Sequence, residues 1–162
     1  MEIERKYLIK NLPEKLDTYP HDDISQAYIS TDPVIRIRKK NQNHILTLKS
    51  QGLLAREEVE MSISKESFLH LLNKKDGINI EKTRYKIPES HGYLIELDVF
   101  HGDYEGFIMA EIEFPDMESA NSYEAPEWFG KDVTLDSRFH NSNLSKRSPE
   151  EITEFLNFIT KN

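Results

Sequence analysis

The chain has 162 residues, 37% of them hydrophobic and 31% charged, with a formal net charge of −8. That length suits one ordinary domain, taken as 1–162, with enough chain to bury a core. The acidic balance argues against nonspecific nucleic-acid binding, which needs an excess of Lys and Arg. With no cysteine, a disulfide, a thiolate metal site and a cysteine nucleophile are all excluded.

Strand-like alternation dominates from residue 2 onward. No signal peptide is expected, and no apolar run approaches the ~20 residues that span a bilayer. A soluble, cytoplasmic protein with no membrane or nucleic-acid partner is expected.

Residues 1–10 read as a first strand, followed by a helical turn over 12–16 and a second strand over 24–30. Thr31-Asp32-Pro33 signals a turn, because Asp before Pro disfavours helix. Strands over 34–40, 44–50 and 56–63 follow, joined as antiparallel hairpins. Ser64 is placed to cap a helix over 65–74 with an apolar stripe of Phe68, Leu69, Leu71 and Leu72. Three further strands cover 78–88, 92–100 and 107–115. A helical turn at 116–121 and a short strand at 132–134 come next. Ser148, Pro149 and Glu151 form a capping box before a helix whose apolar positions are Ile152, Phe155, Leu156 and Ile159. The sum is α+β: an antiparallel sheet of about eight strands with flanking helices.

The polar faces of these strands carry the functional signal. Strand side chains alternate faces, so one face collects Glu2, Glu4 and Lys6, then Arg36 and Arg38, then Thr47 and Lys49. The later strands add Glu58 and Glu60, Lys82, Arg84 and Lys86, Glu96 and Asp98, and Glu111 and Glu113. A solvated face usually mixes signs, since adjacent like charges cost stability. Here each strand carries mostly one sign. If the sheet curls so that this face lines a lumen, unpaired charges become costly. Clustered carboxylates then suit a hard divalent cation, and clustered Arg and Lys suit phosphate oxygens. A site with both suits a metal-bound polyphosphate.

The opening Glu2-Ile3-Glu4-Arg5-Lys6 resembles the Glu-x-Glu-x-Lys signature of the CYTH superfamily, the triphosphate tunnel metalloenzymes. The later pairs follow in that family's order, and the segment 132–145 is similar to its closing segment. The resemblance covers about 1–146. It implies an eight-stranded antiparallel β-barrel, or tunnel, that binds a small-molecule triphosphate with Mg²⁺ or Mn²⁺. The chain most resembles the inorganic tripolyphosphatases, which release pyrophosphate and phosphate. Thiamine-triphosphatase, nucleoside triphosphatase and class IV adenylate cyclase share the fold, and a sensor without turnover is a further alternative. The sequence leaves a homodimer open.

On this resemblance Glu2, Glu4, Glu111 and Glu113 hold the metal. Glu58, Glu60, Glu96 and Asp98 hold a second metal, orient water or steady the basic side chains. Lys6, Arg36, Arg38, Lys49, Lys82 and Arg84 clamp phosphate. Lys82, paired with Tyr28, stands near the attacking water, its pKa lowered by neighbours such as Arg84. Arg138 approaches the site from the closing segment, Lys86 points to solvent, Trp128 and Phe129 anchor packing, and the six histidines are structural.

Overall fold

The computed structural model describes residues 1–161. Its strands are β1 (Glu2–Ile9), β2 (His21–Thr31), β3 (Val34–Lys40), β4 (Asn43–Lys49), β5 (Ala55–Arg56), β6 (Glu58–Ile63), β7 (Asp76–Pro88), β8 (Leu94–His101), β9 (Ile108–Glu113) and β10 (Phe129–Asp132). Four helices accompany them: α1 (Lys65–Leu72), α2 (Met117–Ser122), α3 (Asn141–Leu144) and α4 (Pro149–Thr160). Every pairing is antiparallel.

The wall runs β1-β9-β8-β7-β2-β3-β4-β6, and β5 returns to β1. The expected strand over 56–63 is therefore split. Its first part, β5, closes the barrel on β1, and its second part, β6, completes the hairpin with β4. Closure rests on the pairs Glu2↔Arg56 and Ile3↔Ala55 and on Glu4 N donating to Leu54 O at 3.1 Å.

Alternation then sorts the side chains. On the outside, Ile3, Tyr7, Leu97, Ala110 and Ile112 join Phe114, Ala120 and Phe129 in one core cluster. Arg5 shares that outer face. It donates to Ala120 O at 2.7 Å near the C-terminal end of α2 and pairs with Asp132 at the end of β10. A cation suits a helix C-terminus, where carbonyls lack partners. Helix α1 seats Phe68 against Ala27 and Ile37 on the far side of the barrel.

The inner face changes character along its length. Lys6, Glu111, Asp98 and Lys82 each stand two residues from Leu8, Met109, Phe100 and Ile80 on their strands, and the latter four are buried with Phe139, Leu144, Ile152 and Phe155. The segment from 133 onward thus packs over one end of the lumen. Ser148 and Glu151 make the reciprocal capping box that starts α4, a feature worth about 1 kcal/mol.

Several boundaries differ from the sequence reading. The turn expected at 12–16 is a 3₁₀ turn at Leu16–Thr18, because Lys15 at φ 57° takes the left-handed conformation and breaks the helix before it starts. The last short strand lies at Phe129–Asp132 rather than 132–134. Val133 leaves the ladder to enter the core, and its N–H still reaches Lys6 O at 2.9 Å. Trp128 and Phe129 pack ring to edge, as expected of an anchor. No helix among the described residues is long and apolar enough to cross a membrane.

Candidate active site

The lumen forms a cavity of about 200 Å³ whose lining includes Glu2, Glu4, Lys6, Arg36, Arg38, Lys49, Glu58, Glu60, Arg84, Glu96, Glu111 and Glu113. Seven strands bring these residues together because each contributes alternate positions to one surface. Lining the same cavity are Tyr28, Val34, Lys40, Arg56, Asn141 and Ser142.

Carboxylates concentrate where β1 meets β9 and β5. Glu4 pairs with Lys6, and Glu111 lies 3.6 Å from the same ammonium. Glu2 accepts from Lys49 at 2.8 Å, and Glu58 lies 3.3 Å from that lysine. Burial opposes the charge on Glu111, but Lys6, Arg84, Lys82 and Lys49 together hold its carboxyl well below the usual range. Glu113 behaves oppositely. Burial and the neighbouring Glu2, Glu4, Glu58 and Glu96 push its carboxyl up. Burial and Glu58 likewise raise Glu2. Among the described residues no three acidic or histidine side chains already stand at metal-ligating separations, since Glu2, Glu4 and Glu111 are each drawn to a lysine. The donor set nevertheless fits a hard divalent cation: all oxygen, partly buried and short of positive charge at Glu113.

Cations dominate the opposite wall. Arg38 donates only to Gln26 Oε1, at 2.8 and 2.5 Å. Arg36 donates to Thr47 at 3.1 Å, leaves its buried Nε without a partner and lies 3.9 Å from Glu60. Neither guanidinium has a carboxylate within hydrogen-bond range among the described residues. Burial, with Arg36 and Arg84 alongside, pulls Arg38 down to about 9, where it is still cationic near neutral pH. Arg84 is the reverse case. It grips Asp98 with two bonds of 2.7 and 2.8 Å and reaches Glu96 and Glu111.

Lys82 and Asp98 are withdrawn into the wall. Their side chains are fully buried 2.7 Å apart, and Lys82 also donates to Asn141 Oδ1 at 3.2 Å. Burial lowers the lysine pKa most; Asp98 opposes it, and Arg84 and Arg38 lower it further, to about 7. The expected Tyr28–Lys82 pairing is absent. Lys82 faces Ile24 across β2 and β7, and Tyr28 lies four residues further along, about 13 Å away. Tyr28 accepts from Gln26 Nε2 at 3.3 Å instead.

Two other expectations change. Arg138 turns away to Asp136, at 2.6 Å, and stacks over Phe158, because Asp136 also caps the 3₁₀ turn at Ser137–Phe139. The closing segment reaches the lumen through Asn141 and Ser142 instead. Lys86 is not free in solvent but bonds Asp22 at 2.8 Å. Sequence reasoning missed Asp22, Gln26 and Arg56. Each sits at an inward position of its strand: Gln26 two residues before Tyr28, Arg56 two before Glu58. It also missed His140, a histidine buried beside the lumen rather than in an exposed loop.

The family model described as the CYTH domain matches residues 1–148. An inorganic triphosphatase of Nitrosomonas europaea is 38% identical, with 91% of this chain and 99% of that protein covered. An inorganic triphosphatase of Acetivibrio thermocellus is 34% identical, with 94% and 98% covered. The crystal structure of the inorganic triphosphatase NE1496 superposes with a TM-score of 0.69 at 34% identity, over 92% of this chain and 97% of that one. The barrel, its inward charges and these matches agree: the chain belongs to the CYTH domain family.

Proposed function

We propose that this protein is a metal-dependent triphosphatase that hydrolyses inorganic tripolyphosphate to pyrophosphate and phosphate inside the barrel. The observation that carries this reading is the pair Arg36 and Arg38. Both are buried cations aimed into a lumen with no carboxylate in hydrogen-bond range among the described residues. Such groups call for an oxyanion. Lys6, Lys49 and Arg84 are held by carboxylates and would complete the phosphate clamp. The two relatives named inorganic triphosphatase support the choice of substrate.

Glu2, Glu4, Glu111 and Glu113 would hold Mg²⁺ or Mn²⁺, with Glu58, Glu60 and Glu96 beside them; the bound ion would withdraw charge from the phosphate oxygens. Phosphoryl transfer depends mainly on positioning and electrostatics. Arg36 and Arg38 fix the substrate in line and stabilise its equatorial oxygens. Lys82, poised near neutrality, has a lone pair available for the proton of the attacking water. Asp98 and Asn141 hold its nitrogen in place.

The test is phosphate release from tripolyphosphate, ATP and thiamine triphosphate, with cyclic AMP measured alongside. Tripolyphosphate should be the preferred substrate, EDTA should abolish turnover, and Mg²⁺ or Mn²⁺ should restore it. Full activity in chelator, or cyclic AMP as the main product, would overturn the reading. Arg36→Ala should lower kcat/KM by about 10- to 100-fold, the value of a charge-assisted bond. Arg36→Lys should recover only part, since the planar fork is lost.

A further inference from the structure

Beside the tunnel lies a second cavity of about 290 Å³. It shares Val34, Arg56 and Ser142 with the tunnel, so the two spaces adjoin. Three features stand out at this junction. First, the Arg56 side chain is only 13% exposed, yet among the described residues its guanidinium donates no hydrogen bond; its nearest carboxylate contact is Nε to Glu2 at 3.7 Å. Second, His140 is buried, and its Nε2 has no hydrogen-bond partner. Third, Lys146 reaches the same cavity from the residues after α3 and forms no ion pair among the described residues. The hydroxyls of Ser137 and Ser142 and the side chain of Asn143 also line it. One carboxylate is present, Asp32, and it is occupied by Gln51.

Buried donors without partners are costly unless something completes them. Two cations, a ring nitrogen and hydroxyls converging on one space select an oxyanion rather than a metal or an apolar group. Burial, together with Lys6 and Arg56, lowers the His140 pKa to about 4, so near neutral pH the ring is an uncharged donor or acceptor. At Arg56 the space adjoins the lumen, where the proposed reaction would release phosphate.

We infer that this cavity is a second phosphate site, formed by Arg56, His140 and Lys146, which takes a phosphoryl group lying outside the tunnel. Free orthophosphate, or the end group of a chain longer than three phosphates, would supply the same chemistry. The second source rests on the tunnel being the triphosphate site; the first does not.

Equilibrium dialysis with labelled orthophosphate reads the site directly. It is run with Mg²⁺, with and without saturating imidotriphosphate, a non-hydrolysable analogue that fills the tunnel. About one equivalent of orthophosphate should remain bound when the analogue is present. The double variant His140→Phe with Lys146→Ala should weaken that binding at least about tenfold, the loss of one charge-assisted bond. Its melting shift with imidotriphosphate should stay as in wild type. Lys146→Ala alone, a change at an exposed position, should give a partial loss, and it keeps the test valid if the double variant folds poorly. A preference for tetrapolyphosphate over tripolyphosphate in kcat/KM that the double variant erases would assign the site to a chain end. Retained orthophosphate binding without such a preference would assign it to free phosphate. The proposal is overturned if imidotriphosphate displaces all orthophosphate and no chain-length preference exists, or if the variants bind and discriminate as wild type does. If imidotriphosphate gives no melting shift in any variant, the tunnel reading fails instead, and the dialysis without analogue still reports on the cavity.

Discussion

Lys82 concentrates the catalytic question into one side chain. It is wholly buried against Asp98 and Asn141, and its pKa is lowered to about 7, first by burial and then by Arg84 and Arg38 acting against Asp98. The pH dependence of kcat/KM reports groups of the free enzyme. As a base, Lys82 must be neutral, so activity should rise with pH through about 7, and Lys82→Met should remove that limb and lower kcat by roughly 10²–10⁴-fold. As a phosphate ligand, it must be charged. Activity would then fall above that pH, and the variant would mainly raise KM. Stability carries a separate signature. Between about 7 and the ordinary 10.5 the unfolded chain keeps this proton and the folded chain has lost it. Stability therefore rises with pH across that window, and Lys82→Met should flatten the rise in a series of denaturant melts.

Among the elements, the junction of β7 with α3 governs how the lumen is covered. Gly77 sits at φ +79°, and a Cβ there would come within 2.1 Å of Ser145 O, the carbonyl that accepts from Ile78 N at 2.9 Å. Gly77→Ala should push the closing segment outward, costing on the order of 2 kcal/mol, and should lower kcat by displacing Asn141 from Lys82. A variant that melts as wild type and keeps full activity would show that this contact positions nothing. Gly77 also marks the limit of sequence reading. The alternation of Glu, Arg and Lys with Ile, Leu and Val is enough to orient seven strands, because a period of two leaves no ambiguity about faces. It could not show that the row bearing Lys82 would sink into the wall, since depth depends on Phe100, Ile80 and the helices packed beyond them. Nor could alternation reveal Asn141 or His140. They lie in a one-turn helix and the turn before it, where no period exists, and only the fold places Asn141 beside Lys82 and His140 near Lys6 and Arg56. The split at Glu57 was hidden for a similar reason: one strand changes partners midway, with Ser50 N donating to Glu57 O at 3.0 Å across the break.

For the whole molecule, the lumen trades stability for binding. The carboxyl of Glu113 is raised by burial and by Glu2, Glu4, Glu58 and Glu96, so its ionised form weakens the fold at pH above the ordinary carboxylate range and ceases to do so once protonated. Glu113→Gln should therefore raise the melting temperature of the metal-free protein at pH 7 while weakening metal-dependent turnover. Mg²⁺ should stabilise wild type more than the variant, by mass action on the folded state; equal shifts in differential scanning fluorimetry would remove Glu113 from the metal set. The closure of the barrel carries a related consequence. Glu2 and Glu4 belong to the seam with Arg56 and Leu54, so the groups proposed to hold the metal are also the clasp that fastens the wall. On that proposal, fraying at the first few residues and loss of the metal would be the same event seen from two sides. The amides of Glu4 and Ala55 should be among the most quickened in hydrogen exchange when the lumen empties, and any tag joined ahead of Met1 would pull directly on the clasp, whereas one joined beyond α4 would not.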